Sequence, residues 1–191
     1  MSEGGFHAHG PHDHALEHEA NAEPHGMAGR LAVATAIIAT IGAIFAYMGG
    51  MKQLNAGLYK NEAAIKKTEA ANQWAYYQAK NNRQNISEIA VDLAPDARKE
   101  YYKGEAARYR AEKAEIQKKA EELEKETTVW NERSEHELQE HERWQQATTA
   151  LQVSIALAAI ALLTRSRRLQ YGVYVLAALG IVMGLLAWMH V

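Results

Sequence analysis

The chain has 191 residues, a formal net charge of −2 and no cysteine. Without thiols it holds no disulfide framework, thiolate metal site or cysteine nucleophile, and its balanced charge argues against a nucleic-acid partner, which calls for a basic patch or stripe. The length suits one domain or two, yet charge is segregated: residues 31–51 and 147–191 are nearly free of it, and the stretch between is dense with it.

Residues 1–29 form the first region. Six histidines precede residue 26, namely His7, His9, His12, His14, His18 and His25. The same 29 residues hold five acids and no Lys or Arg, unlike a cleavable secretory signal, which begins with a cationic stretch. Gly10-Pro11 and Pro24 act as breakers, and helical periodicity is absent, which predicts a disordered tail. Three readings of it stand side by side. A His-rich tract points by composition to metal, and imidazole suits Cu, Zn or Ni. Its spacing selects no geometry, so a tolerated polar tail is the plain alternative. A tail that docks on a neighbouring subunit, sensitive to His protonation, is the third.

Residues 30–49 hold the first predicted transmembrane helix, the uncharged run "LAVATAIIATIGAIFAYM". Gly42 and Ala46 give it a small-x-x-x-small face for close helix packing. Residues 50–146 read as a long helical hairpin outside the bilayer with its turn near 93–97, where Pro95 disfavours helix at Ala94 and Asp96 is a candidate cap. In the first arm, stepping by four and three from Leu54 lands on Leu58, Asn61, Ile65, Thr68, Asn72, Ala75, Ala79, Asn82, Ile86, Ile89 and Leu93. Eight of these twelve positions are apolar, so the pattern reads as the heptad seam of a coiled coil facing the second arm. Asn61, Asn72 and Asn82 within it favour one register at some cost in stability. From Tyr102 the same stepping passes Ala106, Tyr109, Lys113, Ile116, Ala120, Leu123, Thr127, Trp130 and Ser134. Two arms of this length predict an antiparallel pair about 60 Å long at ~1.5 Å per residue. Trp74, Tyr76, Tyr77 and Tyr101 miss the seam, and a cluster of large aromatics left over in this way points to a contact with another chain.

Residues 147–191 form a predicted transmembrane hairpin of two helices, 147–164 and 169–191, separated by "RSRR". Tyr171, Tyr174 and Trp188 sit near the ends of the last run, as interfacial aromatics do. Gly180 and Gly184 supply a G-x-x-x-G face. A buried core helix is the alternative for any one run, but three in so small a chain favour the membrane. Arg165, Arg167 and Arg168 in the short loop place it and the N-terminus in the cytoplasm, with the helical hairpin extracytoplasmic. The fold expected is all-α: three transmembrane helices plus a long antiparallel, coiled-coil-like hairpin.

The stretch "EAANQWAYYQAKNNRQNISEIA", 69–90, lies between a first span and a terminal span pair. It resembles an uncharacterised bacterial membrane-protein family, a domain-of-unknown-function group with an N-x-W-x-Y-Y-Q-A-K core. Asn72, Trp74, Tyr76, Tyr77, Gln78, Ala79 and Lys80 carry the match. The resemblance covers roughly residues 30 to 190 and implies a bacterial cytoplasmic (inner) membrane, without implying a reaction.

The stretch "SEHELQEHERW", 134–144, uses metal-site vocabulary but fails its spacing. Zincin helices need two His four apart, whereas His136 and His141 are five apart. No phosphate-cradling loop, nucleophile elbow or small-molecule substrate site is recognisable. The function expected is a non-enzymatic, membrane-anchored scaffold or assembly subunit. It would form a homo-oligomer or dock on a larger membrane complex through Asn72, Trp74, Tyr76, Tyr77 and Tyr101. A metal-handling protein using the His tail is the alternative, and otherwise no cofactor is expected.

Overall fold

The computed structural model describes residues 26–189. Among them are three α-helices and no strand: α1 (Met27–Leu93), α2 (Asp96–Thr164) and α3 (Arg167–Trp188). Each contains a stretch long and apolar enough to cross a membrane by length and composition. The six tail histidines lie outside the described residues. Two compact units form, one from residues 26–53 with 139–189 and one from Leu54–Leu138.

The helix boundaries follow local chemistry. α1 runs for 67 residues and stops at Leu93; Ala94 then precedes Pro95, whose ring excludes the helical conformation behind it. Ala94 N–H still reaches the Ala90 carbonyl at 2.9 Å, and Arg98 N–H closes on the Pro95 carbonyl at 2.8 Å. Asp96 opens α2 and its carboxylate pairs with Lys99 at 2.8 Å. The second break is tighter than the four-residue loop expected. Only Arg165 and Ser166 lie outside helix, because Ser166 caps α3 by accepting from the Leu169 N–H, which draws Arg167 and Arg168 into its first turn. Arg165 has φ +48°, the left-handed conformation with which helices commonly end.

In the first unit three helical segments enclose an apolar core. Leu31 and Ile38 of α1, Leu151, Ala158 and Ala161 of α2, and Val173 and Ala177 of α3 form it. Leu151 is fully buried and sits between two glycines. A Cβ built on Gly180 would lie 2.7 Å from Leu151 Cδ2 and 3.2 Å from the Ala147 carbonyl oxygen, and one on Gly42 would lie 3.8 Å from Leu151 Cβ. A Cβ on Gly184 would overlap the ring of Phe45, which meets Trp144 edge-on at 5.2 Å. Gly42, Gly180 and Gly184 therefore face inward. Ala46 does not: Gly42, Phe45 and Gly49 carry the inward face of α1, and Ala46 is exposed beside them. Ser154, one of the buried polar residues here, donates to the Val173 carbonyl at 3.0 Å. Val33, Ile37, Ile44, Val175, Leu179, Val182 and Leu185 point outward.

In the second unit, residues 54–93 of α1 and 96–138 of α2 lie side by side and antiparallel. Polar rungs join them: Lys60 Nζ donates to Asn131 at 2.9 Å, Lys66 pairs with Glu126 at 3.1 Å, Lys80 with Glu112, and Arg110 with Glu88 at 3.1 Å. Ser134 Oγ donates to the Ala56 carbonyl at 2.8 Å in a buried setting. The α2 side of this seam is the expected one, with Ala106, Ile116, Ala120, Leu123 and Ser134 buried. The α1 side is not. Ala56, Ala63, Ala70, Gln84 and Ser87 are buried, while all twelve positions of the apolar pattern from Leu54 to Leu93 are exposed. Position 56 is two residues from position 54, about 200° around the helix, so the expected seam lies on nearly the opposite face. The physical reason is side-chain size. Small residues at 56, 63 and 70 admit close approach of the α2 backbone, and interhelical distance depends on the side chains at the contact.

Candidate interaction surface

The rotated seam changes the role of each aromatic in the 72–80 segment. Trp74 and Tyr77 flank the small residues and reach across to α2. Trp74 Nε1 donates to Glu124 Oε1 at 2.7 Å and meets Tyr77 edge-on at 5.6 Å. The Lys113 ammonium lies 5.1 Å from the centre of the Tyr77 ring, and its Nζ donates to Asn81 Oδ1 at 2.5 Å. These two aromatics, expected to have no place within the arms, are half-buried between them. Tyr76 and Asn72 are exposed. The Lys80 ammonium sits 5.2 Å from the Tyr76 ring and 5.4 Å from the Tyr109 ring. Tyr101, exposed on α2, packs edge-on against Tyr102 at 5.3 Å.

Charge is arranged to hold the two arms together. A hydrogen bond to Glu126 raises the Lys66 pKa above its ordinary value, and one to Glu112 does the same for Lys80. Glu112 is held below the usual carboxylate range, chiefly by Lys80, and Glu88 by the Gln84 amide and then Arg110. Lys66, Lys80 and Glu112 are half-buried and Glu88 is exposed, and each is paired across the two arms.

What the arms leave outside is uneven. On α1, Leu54 is 57% exposed, Leu58 58%, Ile65 44%, Ile86 67%, Ile89 59% and Leu93 80%. With Asn61, Thr68, Asn72, Ala75, Ala79 and Asn82 they form one straight stripe at heptad spacing. Among the described residues, Asn61, Asn72 and Asn82 make no side-chain hydrogen bond. On α2 between 96 and 138, the exposed large apolar residues are Tyr101, Val129 and Leu138, scattered singly among charges. Single exposed apolar residues are ordinary; on α1 six aliphatic ones recur at heptad positions in two groups, Leu54, Leu58 and Ile65, then Ile86, Ile89 and Leu93, with small and polar residues between them. The heptad spacing expected to face the second arm thus lies on the surface of α1 that the second arm leaves exposed.

No curated protein and no solved structure matches the chain. The family model described as "Domain of unknown function (DUF4337)" matches residues 27–190, which takes in all three helices. The chain belongs to the DUF4337 family.

Proposed function

We propose that the protein is a non-enzymatic, membrane-anchored assembly subunit of the bacterial cytoplasmic membrane. Its three apolar helical stretches span the bilayer, and the antiparallel pair of arms outside it gathers other protein through the α1 stripe. The carrying observation is that stripe: six aliphatic side chains at heptad spacing, left uncovered by a second arm that packs on the opposite face. The outward apolar surface of the three-helix unit and the length of its runs support the anchor. The arginines at 165, 167 and 168 support a cytoplasmic position for the short turn, with the arms on the other side. The readable chemistry of the arms is hydrogen bonding and ion pairing between helices, which supports a structural role over a reaction.

The test is an Ile86→Asp, Ile89→Asp variant of the full chain, extracted in mild detergent and sized by native mass spectrometry. Both residues are more than half exposed, so the helical content stays unchanged. The expected result is loss of the assembled species relative to wild type. An assembly of unchanged mass overturns the reading.

A further inference from the structure

We infer that the α1 stripe pairs with the same stripe of a second copy of this chain, parallel and in register. This rests on reading the chain as an anchored assembly subunit and names its partner.

The surface available is of the right size. The six aliphatic residues expose roughly 700 Å² per chain, so two facing copies cover on the order of 1,400 Å², within the roughly 1,200–2,000 Å² of a specific stable interface. Among parallel registers only the unslipped one uses all of it, because any slip leaves Leu54 or Leu93 without a counterpart. The period also fits self-association: residues alternating by three and four over 40 positions form the seam of a left-handed two-helix contact.

Polar residues select the arrangement. In register, each of Asn61, Asn72 and Asn82 meets its own counterpart, and amides carry both donor and acceptor, so each pair is self-satisfying. A slip of one heptad places them on Thr68, Ala79 and Ile89, stranding amides against apolar or unmatched groups at a cost of about 1–3 kcal/mol for each buried group left unpaired. Asparagine within a heptad seam sets register in this way. The flanking positions agree. In the parallel arrangement Glu62 of one copy lies beside Gly57 of the other, Glu69 beside Ala64, and Arg83 beside Gln78, so no like charges meet. Copies inserted the same way in one bilayer also present the stripe in the same chain direction.

The natural chain has no cysteine, which makes the test direct. Full-length Thr68→Cys, Ala79→Cys, Lys67→Cys and Lys118→Cys are oxidised mildly in intact membranes and run on non-reducing gels. Positions 68 and 79 are expected to give at least about tenfold more linked dimer than 67 and 118, because a disulfide closes only when Cα atoms approach within about 7 Å. Equal or absent dimer at all four overturns the pairing, as does linkage confined to mixtures of Thr68→Cys with Ala79→Cys, which marks an antiparallel register. If no homodimer links but the Ile86→Asp, Ile89→Asp variant still loses its assembly, the partner is a different protein and only this inference fails. If those aspartates change nothing, the assembly-subunit reading fails with it.

Discussion

In residues 96–138 the large apolar side chains of the heptad pattern, Ile116 and Leu123 among them, point at the neighbouring arm. In residues 54–93 those of the matching pattern, Ile65, Ile86 and Ile89, point away from it. The two arms share one periodicity and put it to opposite uses. Where helices pack in pairs, the seam goes to the residues that allow the best mutual fit, and here Ala56, Ala63 and Ala70 of α1 are buried on the face turned to α2. Under the proposed pairing, the large aliphatic row left over on α1 would serve as a second seam.

Three measurements sharpen or break this contrast, each read as the thermal unfolding of the extracted protein by circular dichroism. The largest effect is expected from Leu123→Ala, which empties a buried seam position and costs about 2–5 kcal/mol. Its counterpart Ile65→Ala, from the same pattern on the other arm, stays within about 0.5 kcal/mol in dispersed single chains. Equal losses at the two sites would mean that both rows face inward.

Next, Ala70→Leu makes the hidden row of α1 resemble its exposed one. Residue 70 is 3% exposed, so the added volume is expected to cost about 1–3 kcal/mol by overpacking. A neutral or stabilising outcome would place the true α1 seam elsewhere.

The smallest effect concerns pH. Glu112 and Glu88 have lowered pKa values, so their contribution is complete above the ordinary carboxylate pKa and is lost as pH falls through the lowered folded value. Lys66 and Lys80 have raised values, so theirs is complete below the ordinary lysine pKa and is lost as pH rises through the raised one. Stability of the paired arms is therefore expected to be flat near neutrality and to fall below about pH 4 and above about pH 11. Glu112→Gln should flatten the acid limb, and an unchanged limb would show that the rung between Lys80 and Glu112 does not join the arms in solution.

Much of the helical layout can be read in the sequence because its signals are large. Uncharged runs of 18 or more residues and a single proline between two proline-free stretches leave little choice of element. The α2 seam is legible for the same reason: Ile116 and Leu123 outweigh their surroundings. The α1 seam is not, because Ala56, Ala63 and Ala70 are indistinguishable by hydropathy from the surface alanines at 64, 71, 75 and 79. Their identity as a seam resides in the residues opposite them. The matched charges of the arms, Lys66 with Glu126 and Lys80 with Glu112, are the one sequence signal that points to the correct face, and it emerges only when both arms are aligned together. Trp74 and Tyr77 are not legible as seam residues for the same reason: Tyr77 continues the seven-residue spacing of Ala56, Ala63 and Ala70, a row dominated by small residues. The tail histidines lie outside the described residues and have no structural counterpart here.

The connection between α1 and α2 has a consequence for motion. The three peptide units from Leu93 to Asp96 reach at most about 11 Å and already bridge the ~8–10 Å between neighbouring helix axes, which leaves too little for the about 10 Å of travel that sliding one arm past the other by a heptad requires. The turn thus acts as a short tether: the arms cannot ratchet along one another without unwinding helix beside it. Within Leu54–Leu138 the stripe is therefore expected to move with the arm packed behind it.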